Sequence, residues 1–247
     1  ARKSQKERRG SIRMIGNLIV GNVNCNDFGV YVTDSDVYAS ASPDFENIEI
    51  VGRNGDLHRN NHRFKNIEVE YPAVMSMNFA KNFDAFQTAL LIQEGYVRLE
   101  NTFQPNQYRL GRIKQGITPK VRNSQDIATF KIVFDCKPQK YLKSGEQKVV
   151  FLKSGTLNNP TANESYPLVR VYGKGTVTVG TAVIVINTAG AEFIDIDLET
   201  KQAFEGAENR NSNIKVNQWG SLTSGDNTIT LGTGITKVEV IPGWFVL

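Results

Sequence analysis

Short stretches in which apolar and polar residues alternate, each closed by Gly, Asn, Asp or Pro, recur along almost the whole sequence. A period of two sends successive side chains to opposite faces, which suits a strand with one face buried and argues against a helical fold. In Phe64–Tyr71, the residues Ile67, Val69 and Tyr71 share one face while Asn66, Glu68 and Glu70 share the other. In Phe193–Leu198, Ile194, Ile196 and Leu198 alternate with Asp195, Asp197 and the following Glu199. The expected class is mainly β.

The pattern also divides the chain. Asn17–Val20 and Phe28–Val32 are short apolar runs parted by Gly, Asn and Asp. Phe45–Val51 and Phe64–Tyr71 flank the polar, basic stretch Gly52–Arg63, whose Asn54-Gly55 pair is a strong turn signal. This predicts a long hairpin with a basic tip. One helix is predicted over 82–94, with Asn82 as its cap, Phe83, Phe86 and Leu90 at i, i+3 and i+7, and Gly95 as its stop. Its apolar face is expected to pack on a sheet. Strands resume at Tyr96–Leu99, Tyr108–Ile113 and Ala128–Phe134.

Lys137–Glu146 carries Pro, Gly and charge of both signs and reads as a linker. Beyond it, strand patterns recur at Val149–Leu152, Leu168–Tyr172, Thr176–Val179, Ala182–Asn187, Phe193–Leu198, Ile214–Val216, Thr228–Leu231 and Lys237–Ile241. That spacing is the mark of a sandwich or jelly roll. The expected organisation is a leader over 1–13, an N-terminal β domain over 14–140 and a C-terminal β-sandwich over 141–247. The leader is polar, charged and without a period, and the strand pattern begins just after Met14. It reads as a tag-like extension with Met14 as the natural start, or as a native flexible arm.

Charge excludes more than it suggests. The formal net charge of +4 is the same as that of the first nine residues, where Arg2, Lys3, Lys6, Arg8 and Arg9 face only Glu7. The rest of the chain is formally neutral and lacks a Lys/Arg stripe, so no nucleic-acid partner is expected. No run approaches the ~18 apolar residues of a membrane span, so no membrane insertion is expected either. Cys25 and Cys136 are the only cysteines, and two buried free thiols are the simplest reading.

Catalytic patterns are missing. His58 and His62 stand four apart, but the residues between them are turn-like and no Glu follows His58, so no metal is expected. Neither cysteine has a histidine base nearby in sequence. Asp195, Asp197 and Glu199 are explained by strand alternation, without the apolar pocket that a catalytic carboxylic acid needs. Gly173-Lys174-Gly175 precedes a strand and not a helix, so it is a turn and not a phosphate loop. No catalytic residue and no cofactor is expected.

Aromatic residues offer a binding reading. Trp219, Trp244, Tyr166 and Tyr172 all fall in the C-terminal part. Trp244 belongs to the apolar ending Trp244-Phe245-Val246-Leu247 and reads as core. Trp219 stands in the polar Asn217-Gln218-Trp219-Gly220 and is a candidate contact for a glycan or a protein partner.

Two sets of segments carry a family likeness. The first is Asp27-Phe28-Gly29-Val30-Tyr31-Val32, then Val51–Leu57, then Phe64–Pro72. The second is Phe193–Phe204, then Leu222-Thr223-Ser224-Gly225-Asp226-Asn227-Thr228-Ile229, closing with Val240-Ile241-Pro242-Gly243-Trp244. In order and spacing, from about Met14 to Leu247, they resemble the distal tail protein family of phages and prophages with long non-contractile tails. Trp219-Gly220 departs from the pattern, which has an aromatic–proline pair before the Leu-x-x-Gly-x-Asn turn.

The resemblance implies an N-terminal ring-forming domain, usually hexameric, with a β-sandwich or barrel-like fold carrying one helix and a long hairpin, and a C-terminal galectin-like β-sandwich (jelly roll). It implies a structural hub at the distal end of the tail in the virion, joining the tail tube protein to tail-tip and receptor-binding proteins. In such a ring Arg53, Asn54, Asp56 and Arg59 of the hairpin, with Phe83 and Phe86 of the helix, are candidates for the subunit interface. The alternative is a carbohydrate-binding protein that recognises host envelope glycans through the C-terminal sandwich.

Overall fold

The computed structural model describes residues 15–33, 38–76, 79–122, 127–187 and 192–247. The leader expected over 1–13, and Met14, lie outside them. Contacts divide the chain into two compact units: Ala1–Pro105 with Arg109–Pro138, and Asn106–Tyr108 with Gln139–Leu247.

The first unit contains β1 (Leu18–Val20), β2 (Val23–Asn24), β3 (Val30–Val32), β4 (Pro43–Ile48), β5 (Leu57–Phe64) and β6 (Ile67–Ser76). After α1 (Phe79–Leu91) come β7 (Val97–Asn101), β8 (Gln107–Ile113), β9 (Lys120–Val121) and β10 (Ile127–Leu142), of which the first two residues of β8 and β10 from Gln139 on belong to the second unit. The main sheet runs β2-β1-β7-β8-β10-β6-β3, and β9 also pairs with β10. Just before β1, Gly16 exchanges both backbone hydrogen bonds with Val32 of β3, at 2.7 and 3.1 Å. That bridge joins one end of the sheet to the other and curls it into a barrel.

The inside is apolar. Ile67, Val69, Tyr71, Ala73 and Met75 of β6 are all buried, as the alternation of this strand requires. The strand runs five residues past Tyr71 even though Pro72 looks like a terminator. Thr33 donates its N–H to the Pro72 carbonyl, so Pro72 turns its missing N–H to the β3 side, just where β3 ends. The helix places Phe83, Phe86 and Leu90 in the same core, with Phe28 and Phe130 against Phe86. Among the described residues α1 already begins at Phe79, so Asn82 lies inside it and is not its cap. The apolar face continues one turn back through Phe79, whose ring lies 4.9 Å from that of Phe83 in a tilted contact.

Two further expectations are corrected. The stretch after Gly55 is not a loop tip: β5 pairs with β4 in a separate two-stranded ribbon. All eight residues of β5 are exposed, so neither face is buried and no apolar period marks it as a strand. The stretch read as a linker is ordered throughout. Its first half is the end of β10 and its second half is a 3-10 turn over Lys143–Glu146. Lys140 is buried there despite its charge, and β10 gains a new partner near its end.

The second unit contains β11 (Val149–Phe151), β12 (Gly155–Asn159), β13 (Leu168–Gly173), β14 (Gly175–Val179), β15 (Ala182–Ile186) and β16 (Ile194–Asp197). It continues with β17 (Gln202–Glu205), β18 (Glu208–Asn209), β19 (Ile214–Gln218), β20 (Gly225–Leu231), β21 (Ile235–Ile241) and β22 (Phe245–Val246). One sheet is ordered β11-β21-β13-β16-β17-β18 and the other β12-β20-β14-β15-β19, while β22 pairs with the end of β10. Val169, Val171, Ile196 and Val240 from the first sheet meet Val177, Val179, Ile184 and Ile229 from the second in one core, the arrangement of a β-sandwich. All eight expected strand segments are strands. The ones not foreseen, β12, β17, β18 and β22, are short or polar.

Candidate functional site

Two features are candidate contact sites. The first is the β4–β5 ribbon. Its turn carries Arg53, Asn54 and Asp56, all exposed, and Gly52 and Gly55 take φ of +81° and +84°, which glycine adopts without strain. Arg59 makes a solvent-exposed ion pair with Glu46 at 3.5 Å. Apolar side chains are exposed beside these charges: Phe45, Ile48, Val51, Leu57 and Phe64. A two-stranded ribbon is marginal alone in water, and this one leaves its apolar residues wet.

The base of the ribbon is fixed by a bulge. Pro43 pairs with Phe64 and Phe45 with Asn60, so Asp44 alone faces Asn61, His62 and Arg63. His62 takes a left-handed φ of +52°. Asp44 accepts from Arg63 Nε at 2.7 Å and lies 3.3 Å from Lys65 Nζ. These partners, Arg63 foremost, hold its carboxyl below the usual carboxylate range. His58 is engaged elsewhere, with Nδ1 2.7 Å from Asn47 Oδ1. Among the described residues no three His, Cys, Asp or Glu side chains form a cluster able to hold a metal ion.

The second feature is a pair of cavities in the second unit. One, of about 360 Å³, is walled by Glu164, Tyr166, Lys201, Gln218, Trp219 and Thr223, among others. The other, of about 370 Å³, is walled by Gln139, Tyr141, Tyr166, Glu199, Lys201 and Phe245, among others. Tyr166, Leu198 and Lys201 line both. Trp219 also packs partly against the sandwich core. Next to it, a Cβ on Gly220 would lie 2.4 Å from the backbone of Thr181 and Ala182, so only glycine lets the chain pass there. The Leu-x-x-Gly-x-Asn turn that follows is pinned by buried Asn227. It donates to the carbonyls of Thr223 and Gly225 at 2.7 and 2.9 Å and accepts from Thr223 N–H at 2.8 Å.

The outer face of the six-stranded sheet carries a satisfied charge network. Arg170 grips Asp195 through two hydrogen bonds of 2.7 and 2.8 Å and lies over the Phe193 ring at 3.8 Å. Asp195 is therefore held down on the sheet instead of standing free, and Asp197 caps the next turn by accepting from the N–H groups of Glu199 and Thr200.

This arrangement has counterparts among solved structures. The SPP1 Dit (gp 19.1) protein, described as a paradigm of hub adsorption apparatus in Gram-positive infecting phages, superposes with a TM-score of 0.70. The match spans 95% of this chain and 100% of that one at 12% identity. The chain has the fold of a phage tail hub. It is also similar to chains of the phage P2 baseplate in its activated conformation, with Ca and with Sr. Both give a TM-score of 0.51, at 11% and 12% identity, over 92% and 91% of this chain and 98% and 97% of theirs. No protein-family model matches the sequence, and no curated protein matches it.

Within the hub fold, the candidate interface residues separate. Arg53, Asn54, Asp56 and Arg59 are gathered on the exposed ribbon. Phe83 and Phe86 are not with them: they are buried in the core of their own unit, as expected for the face that packs on a sheet. Contact of α1 with another copy would fall to its outer residues. Sequence reasoning found Trp219 of the cavity wall but missed Asp44, Glu164 and Lys201, because their meaning lies in pairings between separate segments.

Proposed function

We propose that this protein is the structural hub of a phage or prophage tail tip. In this reading it forms a ring, hexameric by analogy, that joins the tail tube protein to tail-tip and receptor-binding proteins at the distal end of the virion. Its role is assembly and not catalysis. The observation that carries the reading is the β4–β5 ribbon on a hub fold: an arm with apolar residues exposed on both strands and with unpaired strand edges. Such an arm gains stability when a neighbouring copy covers it, and a head-to-tail contact of this kind gives a ring when the rotation between copies closes.

Light scattering with size-exclusion chromatography, together with negative-stain images, tests it. A closed ring is expected for the parent protein. The Arg53→Ala/Asp56→Ala double variant is expected to shift toward smaller species. A parent protein that stays monomeric at high concentration overturns the ring. A double variant that elutes as the parent oligomer removes the turn from the interface.

A further inference from the structure

We infer that the paired cavities around Tyr166 and Lys201 form a binding groove for a neutral saccharide. A sugar ring has apolar C–H faces and polar edges, so its site needs aromatic surfaces beside hydrogen-bonding groups. Both cavities have this make-up. Trp219 and Tyr166 stand beside Glu164, Gln218 and Thr223 in one, and Tyr141 and Phe245 beside Gln139 and Glu199 in the other. Tyr166 and Lys201 belong to both walls, so one extended chain of sugar units can touch both.

The wall is also held in place. Trp219 rests partly on the core, and the close passage at Gly220 fixes the backbone beside it. Ser221 Oγ donates to Glu164 Oε2 at 2.9 Å. Lys201 is kept at φ +57°, a conformation uncommon for a residue with a side chain, by the turn that Asp197 caps. Positioned side chains lose less freedom on binding than mobile ones. The charge chooses among polymers. Across the two walls stand two carboxylates, Glu164 and Glu199, and one ammonium, Lys201, a formal excess of one negative charge that favours an uncharged chain over an anionic one. The inference does not depend on ring formation.

Only two tryptophans exist, and Trp244 is buried, so acrylamide quenching of the full chain reports chiefly on Trp219. Gluco-, galacto- and N-acetylglucosamine-oligosaccharides at millimolar concentration are the probes, with poly(glycerol phosphate) as the anionic comparison. At least one neutral probe is expected to protect Trp219. Protection should weaken about ten-fold in Tyr166→Ala and fall in Glu164→Gln, in variants whose thermal melts match the parent. No protection by any neutral probe, or protection by the anionic polymer alone, overturns the inference. Protection unchanged in both variants overturns it as well, because the sugar then binds elsewhere.

Discussion

Arg63 Nε donates to Asp44 Oδ2 at 2.7 Å across a bulge in which one residue of β4 faces three of β5. The carboxylate fills the gap that the extra residues open, and Lys65 closes it from the other side. Asp44→Ala removes the acceptor and leaves His62 in a left-handed conformation with less to hold it. Faster amide exchange over Leu57–Phe64 and earlier proteolysis within the ribbon are expected, with the barrel core unchanged. Equal exchange rates in parent and variant would show that the bulge is held by other means.

The helix contributes through its inner face. Phe86 is fully buried between Phe28 and Phe130. Phe86→Ala is expected to cost about 3–5 kcal/mol of stability in a denaturant titration. An outer-face change such as Lys81→Ala should cost far less, since Lys81 is exposed.

Asn227 satisfies several backbone groups of one turn with a single buried amide. Asn227→Ala leaves the Thr223 N–H and two carbonyls without that partner and is expected to cost about 1–3 kcal/mol. The loss should appear in denaturation of the isolated protein. Asn227→Asp keeps the acceptor but not the donors and should be intermediate or worse.

Both thiols should be silent at neutral pH. Burial pushes Cys25 and Cys136 up to about 12, so the reactive thiolate is scarce. Little labelling by a thiol reagent is expected in the native state and two labels per chain after unfolding. Rapid native labelling would contradict the buried positions of both residues.

Acid should weaken the second unit through Glu239. Hydrogen bonds from Lys148 and then Lys237 hold its carboxyl below the ordinary 4.5. A depressed folded-state value means that the ionised group contributes fully above pH 4.5 and loses its contribution as pH falls through the folded value. Glu239→Gln is expected to be less stable near neutrality and to show a shallower fall in Tm on acidification. A parallel acid profile in the two proteins would assign the dependence to other carboxylates.

Strands with one face buried were legible, because burial forces the period that β6 and β16 show. The ribbon was half legible: Asn54-Gly55 announced its turn, but β5 has no buried face and so no pattern. Pro72 concealed the second half of β6, since whether a proline ends a strand depends on which neighbour its nitrogen faces. The helix face was readable and its start was not. Trp219 stood out by its polar setting, whereas Glu164, Tyr166 and Lys201 join it only through folding across segments far apart in sequence.

The Gly16–Val32 bridge has a bearing on solubility. A β-protein with a long open margin invites endless lateral growth, chain upon chain. Here two backbone hydrogen bonds tie Gly16, just ahead of β1, to Val32 of β3 and shorten the open margin of the curled sheet. In the first unit, the longest unpaired strand margins among the described residues are thereby those of the ribbon, and under the proposed assembly a neighbouring copy would cover them.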